Sequence, residues 1–95
     1  MYRTNCTSQS IGNLIYERDR QDGKWGEQNH SPEKWIVILI EECGEAAKAI
    51  LEKESYQYRD ELIHVAAVAI AAVESFDRNL ERDVKVPGEE ENDDD

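Results

Sequence analysis

Apolar residues fall along this chain in three blocks, each spaced like one face of a helix. In the first block Ile11, Leu14, Ile15 and Arg18 recur at steps of three and four. That spacing predicts a helix over residues 8–24, weakened by Gly12 and closing near Asp22-Gly23. The next stretch, Trp25-Gly26-Glu27-Gln28-Asn29-His30, has no period and reads as a loop. It stops at Ser31-Pro32, a good N-cap followed by proline at the first helical position, so a second helix starts at Ser31. The run Trp35-Ile36-Val37-Ile38-Leu39-Ile40 has the composition of a buried strand. The cap before it and the helical pattern through residues 41–51 favour a helix instead, fading near Lys53-Glu54. Gly44 inside it costs about 1 kcal/mol relative to alanine, which hints at close packing or backbone approach at that turn.

Ser55 is placed to cap a third helix over residues 55–82. Leu62, Val65, Ala66, Ala69, Val73 and Phe76 form one apolar stripe on it, and Ile63 and Ile70 widen the stripe. Between positions 62 and 73 His64 is the only polar residue, so this segment needs cover on several sides, more than two short helices supply. The fold expected is an all-α bundle of about three helices per chain, completed by homodimerisation.

Composition limits the partners. The net charge is −11, and residues 89–95 carry six acids after a Pro87-Gly88 break, which reads as a solvated, disordered tail behind a single domain at 1–88. Without those six, 16 acids still face 11 bases, a balance of −5. An acidic body disfavours nucleic acid or an anionic membrane surface as the main partner, unless metal ions reverse the local sign. Cys6 and Cys43 have no zinc-type or disulfide-framework spacing, and Cys43 is assigned to packing. No stretch has the length of a membrane span and the N-terminus lacks the apolar core of a signal peptide, so a cytoplasmic location is expected.

The charge that changes the picture is on the second and third helices. Glu41, Glu42 and Glu45 sit three and four residues apart, and Asp60, Glu61 and His64 repeat that spacing. If the two helices form an antiparallel hairpin turning near Lys53, positions summing to 106 lie level, which pairs Glu45 with Glu61 and Glu42 with His64. Taken singly, each glutamate reads as a solvated helix residue or a partner for Lys or Arg. Set together beside the two most apolar segments, they repel and raise one another's pKa unless a cation or protons neutralise them. Hard oxygen donors favour Mg²⁺ or Mn²⁺, and Mg²⁺ bridges readily to phosphates, so an acidic protein can hold an anionic nucleotide.

At these residues the chain resembles a known family. Glu41-Glu42-Cys43-Gly44-Glu45 followed by Glu61-Leu62-Ile63-His64 looks like the EExxE…ExxD signature of the MazG-like all-α nucleotide pyrophosphohydrolases. The likeness covers residues 25–74 and includes Pro32-Glu33-Lys34-Trp35 and Val65-Ala66-Ala67-Val68-Ala69. The resemblance implies a MazG-like helical dimer or tetramer that hydrolyses nucleoside triphosphates to monophosphate and pyrophosphate with Mg²⁺, or possible Mn²⁺, as cofactor. By position it implies Glu42, Glu45 and Glu61 as metal ligands, with His64 where the family has aspartate. A nitrogen donor there suits Mn²⁺ and other transition metals better than Mg²⁺.

Glu41 or Glu42 is the candidate general base. His64 either ligates metal, orients a water or phosphate from behind it, or is a core histidine with one satisfied hydrogen bond. Lys24, Lys34, Lys48 and Arg59 are cationic candidates for phosphate, with Lys34 more a solvated residue and Trp35 a packing one. Trp25, Gln28 and Asn29 are placed to stack on or hydrogen-bond a base from the loop.

Two other readings stand beside this one. Glu61-x-x-His64 also matches the helical Glu-x-x-His of di-iron bundles, with a homodimer supplying both copies. A non-catalytic helical module that binds a nucleotide or a protein, with hydrolysis lost along with the aspartate, is the third.

Overall fold

The structure, a computed structural model, describes residues 5–83. Three helices make it up: α1 (Asn5–Trp25), α2 (Pro32–Leu51) and α3 (Ser55–Asp83), with no strand among the described residues. The expected tail at 89–95 lies outside the described residues. No described helix is long and apolar enough to cross a membrane.

Local chemistry accounts for the helix ends. Gly26 adopts φ +73 and its N–H donates to the Asp22 carbonyl at 2.8 Å, a left-handed cap that ends α1. The Ser31 hydroxyl accepts the Lys34 N–H at 3.2 Å and Pro32 opens α2. His30 then packs edge-on against Trp35 with ring centroids 4.8 Å apart, stapling the loop to the first turns of the helix. At the far end the Glu54 N–H reaches the Ala49 carbonyl and the Lys53 N–H the Ile50 carbonyl, both at 3.0 Å. This is the Schellman pairing, with Lys53 at φ 58 in the place glycine usually takes.

That turn folds α3 back along α2, and α1 packs on α3 as well, so α3 is the shared element. Trp35, Val68 and Ala71 form the buried core, with Ile38, Leu39 and Ala72 against them. Ala46, Ala49 and Ala67 are also buried. Small residues on α2 and α3 let the helices close around one indole.

Here the structure corrects the expected stripe. The face of α3 that α1 and α2 cover carries Glu61, Ala67, Val68, Ala71 and Ser75, whereas Leu62, Ile70, Val73 and Phe76 are exposed. Because α3 is apolar almost all round, periodicity alone does not say which face turns inward. Three smaller expectations also fail. Ser55 is the first residue of α3 and not its cap, since the Tyr58 N–H bonds the Glu54 carbonyl. Cys43 is exposed and not a packing residue, and a Cβ at Gly44 would meet nothing within 4 Å, so the chain itself does not crowd that turn.

Polar clamps hold α1 and the loop. Arg18, largely buried, pairs with Glu74 of α3 and with Asp22. Arg59 donates to Asn13 at 2.9 Å. Arg78 donates to the Gln28 carbonyl at 3.0 Å and to Asn29 at 3.1 Å, which ties the 26–31 loop to α3.

Candidate functional site

The hairpin register puts α2 and α3 carboxylates on one level. Glu42, Glu61 and His64 each offer a ligand atom, and these atoms all lie within 4.8 Å of one another. His64 Nδ1 is 3.2 Å from Glu61 Oε1 and 3.9 Å from Glu42 Oε1. Gln57 donates to the other Glu61 oxygen at 2.8 Å, which orients a carboxylate that is itself buried. Burial pushes the Glu42 carboxyl above its ordinary range; His64 opposes this, and the Glu61 and Glu45 carboxylates add to it. A half-buried acid held beside a buried one is costly, and Glu42 stands at the wall of an open cleft.

The cleft, of about 310 Å³, has Glu42 and His64 at one end, Trp25 and Gln28 on the loop and α1 side, and Trp35, Ile38 and Val68 behind. It thus joins an acidic end to an aromatic and amide-bearing end.

A third acid enters from α1, and the sequence reasoning missed it. Glu17 is 6% exposed, and its Oε2 lies 3.8 Å from His64 Nε2. Arg20 donates to both of its oxygens, at 2.9 and 2.8 Å, and Gln21 adds a bond at 3.2 Å. The Arg20 hydrogen bonds hold the Glu17 carboxyl below its ordinary range although burial works the other way. The available signal was Glu17 and Arg20 three residues apart on α1, a spacing that surface ion pairs also have.

Other expected site residues fall elsewhere. Glu45 is exposed and outside the Glu42, Glu61 and His64 group; it lines a shallow recess of about 150 Å³ with Lys48 and Glu61 on the flank of the hairpin. Glu41 is exposed and outside the cleft. Of the basic candidates, Lys24 places its Nζ 4.7 Å from the Trp25 ring centroid, while Lys34 is exposed. Arg59 lies in an adjoining depression between α1 and α3 with Asp60 and Asn13, which Glu17 and His64 also line, but it is outside the cleft itself. Asn29 is exposed and bonded to Glu27 and Arg78, whereas Gln28 does line the cleft. The α2 helix points these side chains around its circumference, and only every third or fourth position meets α3.

The donor set fits a small divalent cation. Oxygens bound to one Mg²⁺ stand no more than about 4.2 Å apart, so the three side chains close on an ion with shifts of about an ångström. Two carboxylates and an imidazole suit Mn²⁺ at least as well. No family model matches the chain, and no curated protein or solved structure is significantly similar to it.

Proposed function

We propose that this chain is a metal-dependent nucleotide pyrophosphohydrolase of MazG-like type, working as a homodimer. The observation that carries the reading is the convergence of Glu42, Glu61 and His64 within 4.8 Å, with Glu42 and His64 lining one end of a cleft whose other end offers Trp25 and Gln28. Glu42, Glu61 and His64 would hold the cation, which would supply charge neutralisation for the phosphates and a water of lowered pKa. Gln57 fixes the Glu61 carboxylate, and the Glu42 oxygen not spent on the cation would take a proton from the attacking water. Water adds to the α-phosphorus, the bond to the bridging oxygen breaks, and pyrophosphate leaves the nucleoside monophosphate. Trp25 stacks on the base while Gln28, steadied by Arg78, meets its edge. Homodimerisation draws support from exposed Ile36, Val37 and Ile40 on α2 and Leu62, Val73 and Phe76 on α3, too much large apolar surface for one chain to leave in water.

The test is pyrophosphate release from a panel of ribo- and deoxyribonucleoside triphosphates with Mg²⁺ or Mn²⁺. We expect metal-dependent release, reduced more than about 100-fold by Glu42→Gln and by Glu61→Gln, since even residues behind a metal's ligands cost 10–100-fold. No release from any nucleotide by a folded, metal-binding chain would sink this reading. A second reading, a nucleotide-binding module without turnover, is favoured by one observation: His64 occupies the place of the signature's aspartate and lies against Glu61. Turnover raised by His64→Asp marks a hydrolase; unaltered nucleotide binding with no turnover in either form marks the module.

A further inference from the structure

The geometry points to Arg20 as the anion ligand of the cleft, with Glu17 as its counter-ion in the resting chain. The guanidinium exchanges this carboxylate for the phosphate oxygens of a bound nucleotide. The inference rests on the nucleotide reading above and adds the residue that grips phosphate.

Arg20 is the only Lys or Arg among the described residues that line the cleft. It stands between the two ends of that cleft: both its fork nitrogens reach Glu17, which borders His64, and its Cζ lies 6.0 Å from the Trp25 ring centroid. A planar guanidinium that already makes two parallel bonds to a carboxylate presents the same fork to two phosphate oxygens. The basic residues expected from sequence to meet phosphate, Lys24, Lys48 and Arg59, do not line the cleft.

The pair is built to part. The Arg20 side chain is 43% exposed, so the guanidinium can leave without opening the core. Glu17 is buried, and a stranded carboxylate there would be expensive. It keeps a donor in Gln21 at 3.2 Å and has His64 Nε2 at 3.8 Å, so release of Arg20 leaves it partnered, on the side of Glu42 and Glu61. An ordinary helix-surface ion pair has neither a buried acid nor a waiting second partner.

The experiment is calorimetric titration of the full chain with inorganic pyrophosphate in excess Mg²⁺, beside Mn²⁺ binding alone followed by electron paramagnetic resonance. Arg20→Gln should weaken pyrophosphate binding on the order of tenfold or more, the worth of charge-assisted hydrogen bonds, while Mn²⁺ affinity stays within about twofold. Arg20→Lys, which keeps charge but loses the fork, should lose less. In metal-free buffer Glu17→Gln should tighten pyrophosphate binding when Arg20 is present and lose most of that gain in the Glu17→Gln/Arg20→Gln chain. If Arg20→Gln does not fold, the same double variant against Glu17→Gln measures the Arg20 contribution with both charges removed. Unchanged affinity on losing Arg20, or an equal Glu17→Gln gain in both backgrounds, overturns the proposal. Pyrophosphate binding that depends on Arg20 in a chain that hydrolyses no nucleotide upholds the proposal and removes only the hydrolase. A wild-type chain that binds no pyrophosphate overturns the proposal, and the nucleotide panel decides the hydrolase separately.

Discussion

The two sides of α3 have opposite characters. The inner side runs Glu61, His64, Ala67, Val68, Ala71 and Ser75, acid and imidazole at one end and small residues after them. The outer side, Leu62, Ile70, Val73 and Phe76, is larger and more apolar, yet it is the side in water. Side-chain size explains the choice: α1 and α2 approach the helix closely only where its residues are small, and one large ring, Trp35, fills what remains. The bulky side is left for a surface that does not need close backbone approach. The difference teaches that burial within one chain and hydrophobicity are separate quantities here, and that the candidate site lies on the side that the chain itself encloses.

Charging the outer side should break the assembly and spare the site. Phe76→Asp is expected to cost the proposed homodimer about 2 kcal/mol or more, roughly thirtyfold in its dissociation constant, read by sedimentation across a concentration series. Mn²⁺ affinity should hardly change, because Phe76 is outside the cleft lining. A wild-type chain that sediments as a monomer at every concentration would end the comparison as drawn.

On the inner side, acid should weaken the fold through Glu17. Its folded-state pKa is lowered by the Arg20 hydrogen bonds, so its contribution is complete above the ordinary value of 4.5 and is lost as pH falls through the lower folded value. Urea unfolding of the metal-free chain should therefore show Glu17→Gln less stable than wild type at pH 7, with the gap closing as pH drops below about 4.5. A gap of constant size from neutral to acid pH would remove the ion pair from the account.

The smallest expected effect is at Gly44, exposed on α2 with free space where a Cβ would stand. Gly44→Ala should raise stability by up to about 1 kcal/mol, a gain in helix propensity visible by thermal unfolding. Destabilisation instead would place Gly44 against a second copy and extend the interface onto that turn.

Much of the hairpin was legible before any coordinates. Ser31-Pro32 marks where α2 begins because cap and proline chemistry act within a single turn. A turn near Lys53 is enough to bring Glu42 level with His64, since two antiparallel helices of equal rise have only one register once their turn is set. Glu45 misled because same-face spacing on α2 spans a wide arc, and only part of that arc meets α3. Glu17, Arg20 and Arg78 were not legible as site residues. Their roles depend on where α1 and the 26–31 loop lie across α3, which no local signal encodes.

By itself, then, the sequence determined what is local or one turn away: three helices, the Ser31-Pro32 start of α2, a turn near Lys53 and the convergence of Glu42, Glu61 and His64. Tertiary structure alone decided the docking of α1, the inward face of α3 and the Glu17 to Arg20 pair at the cleft. The physical reason is that hydrogen bonds and dihedral preferences act between near neighbours in the chain. Which of several apolar faces is buried depends on shape and size summed over all three helices at once.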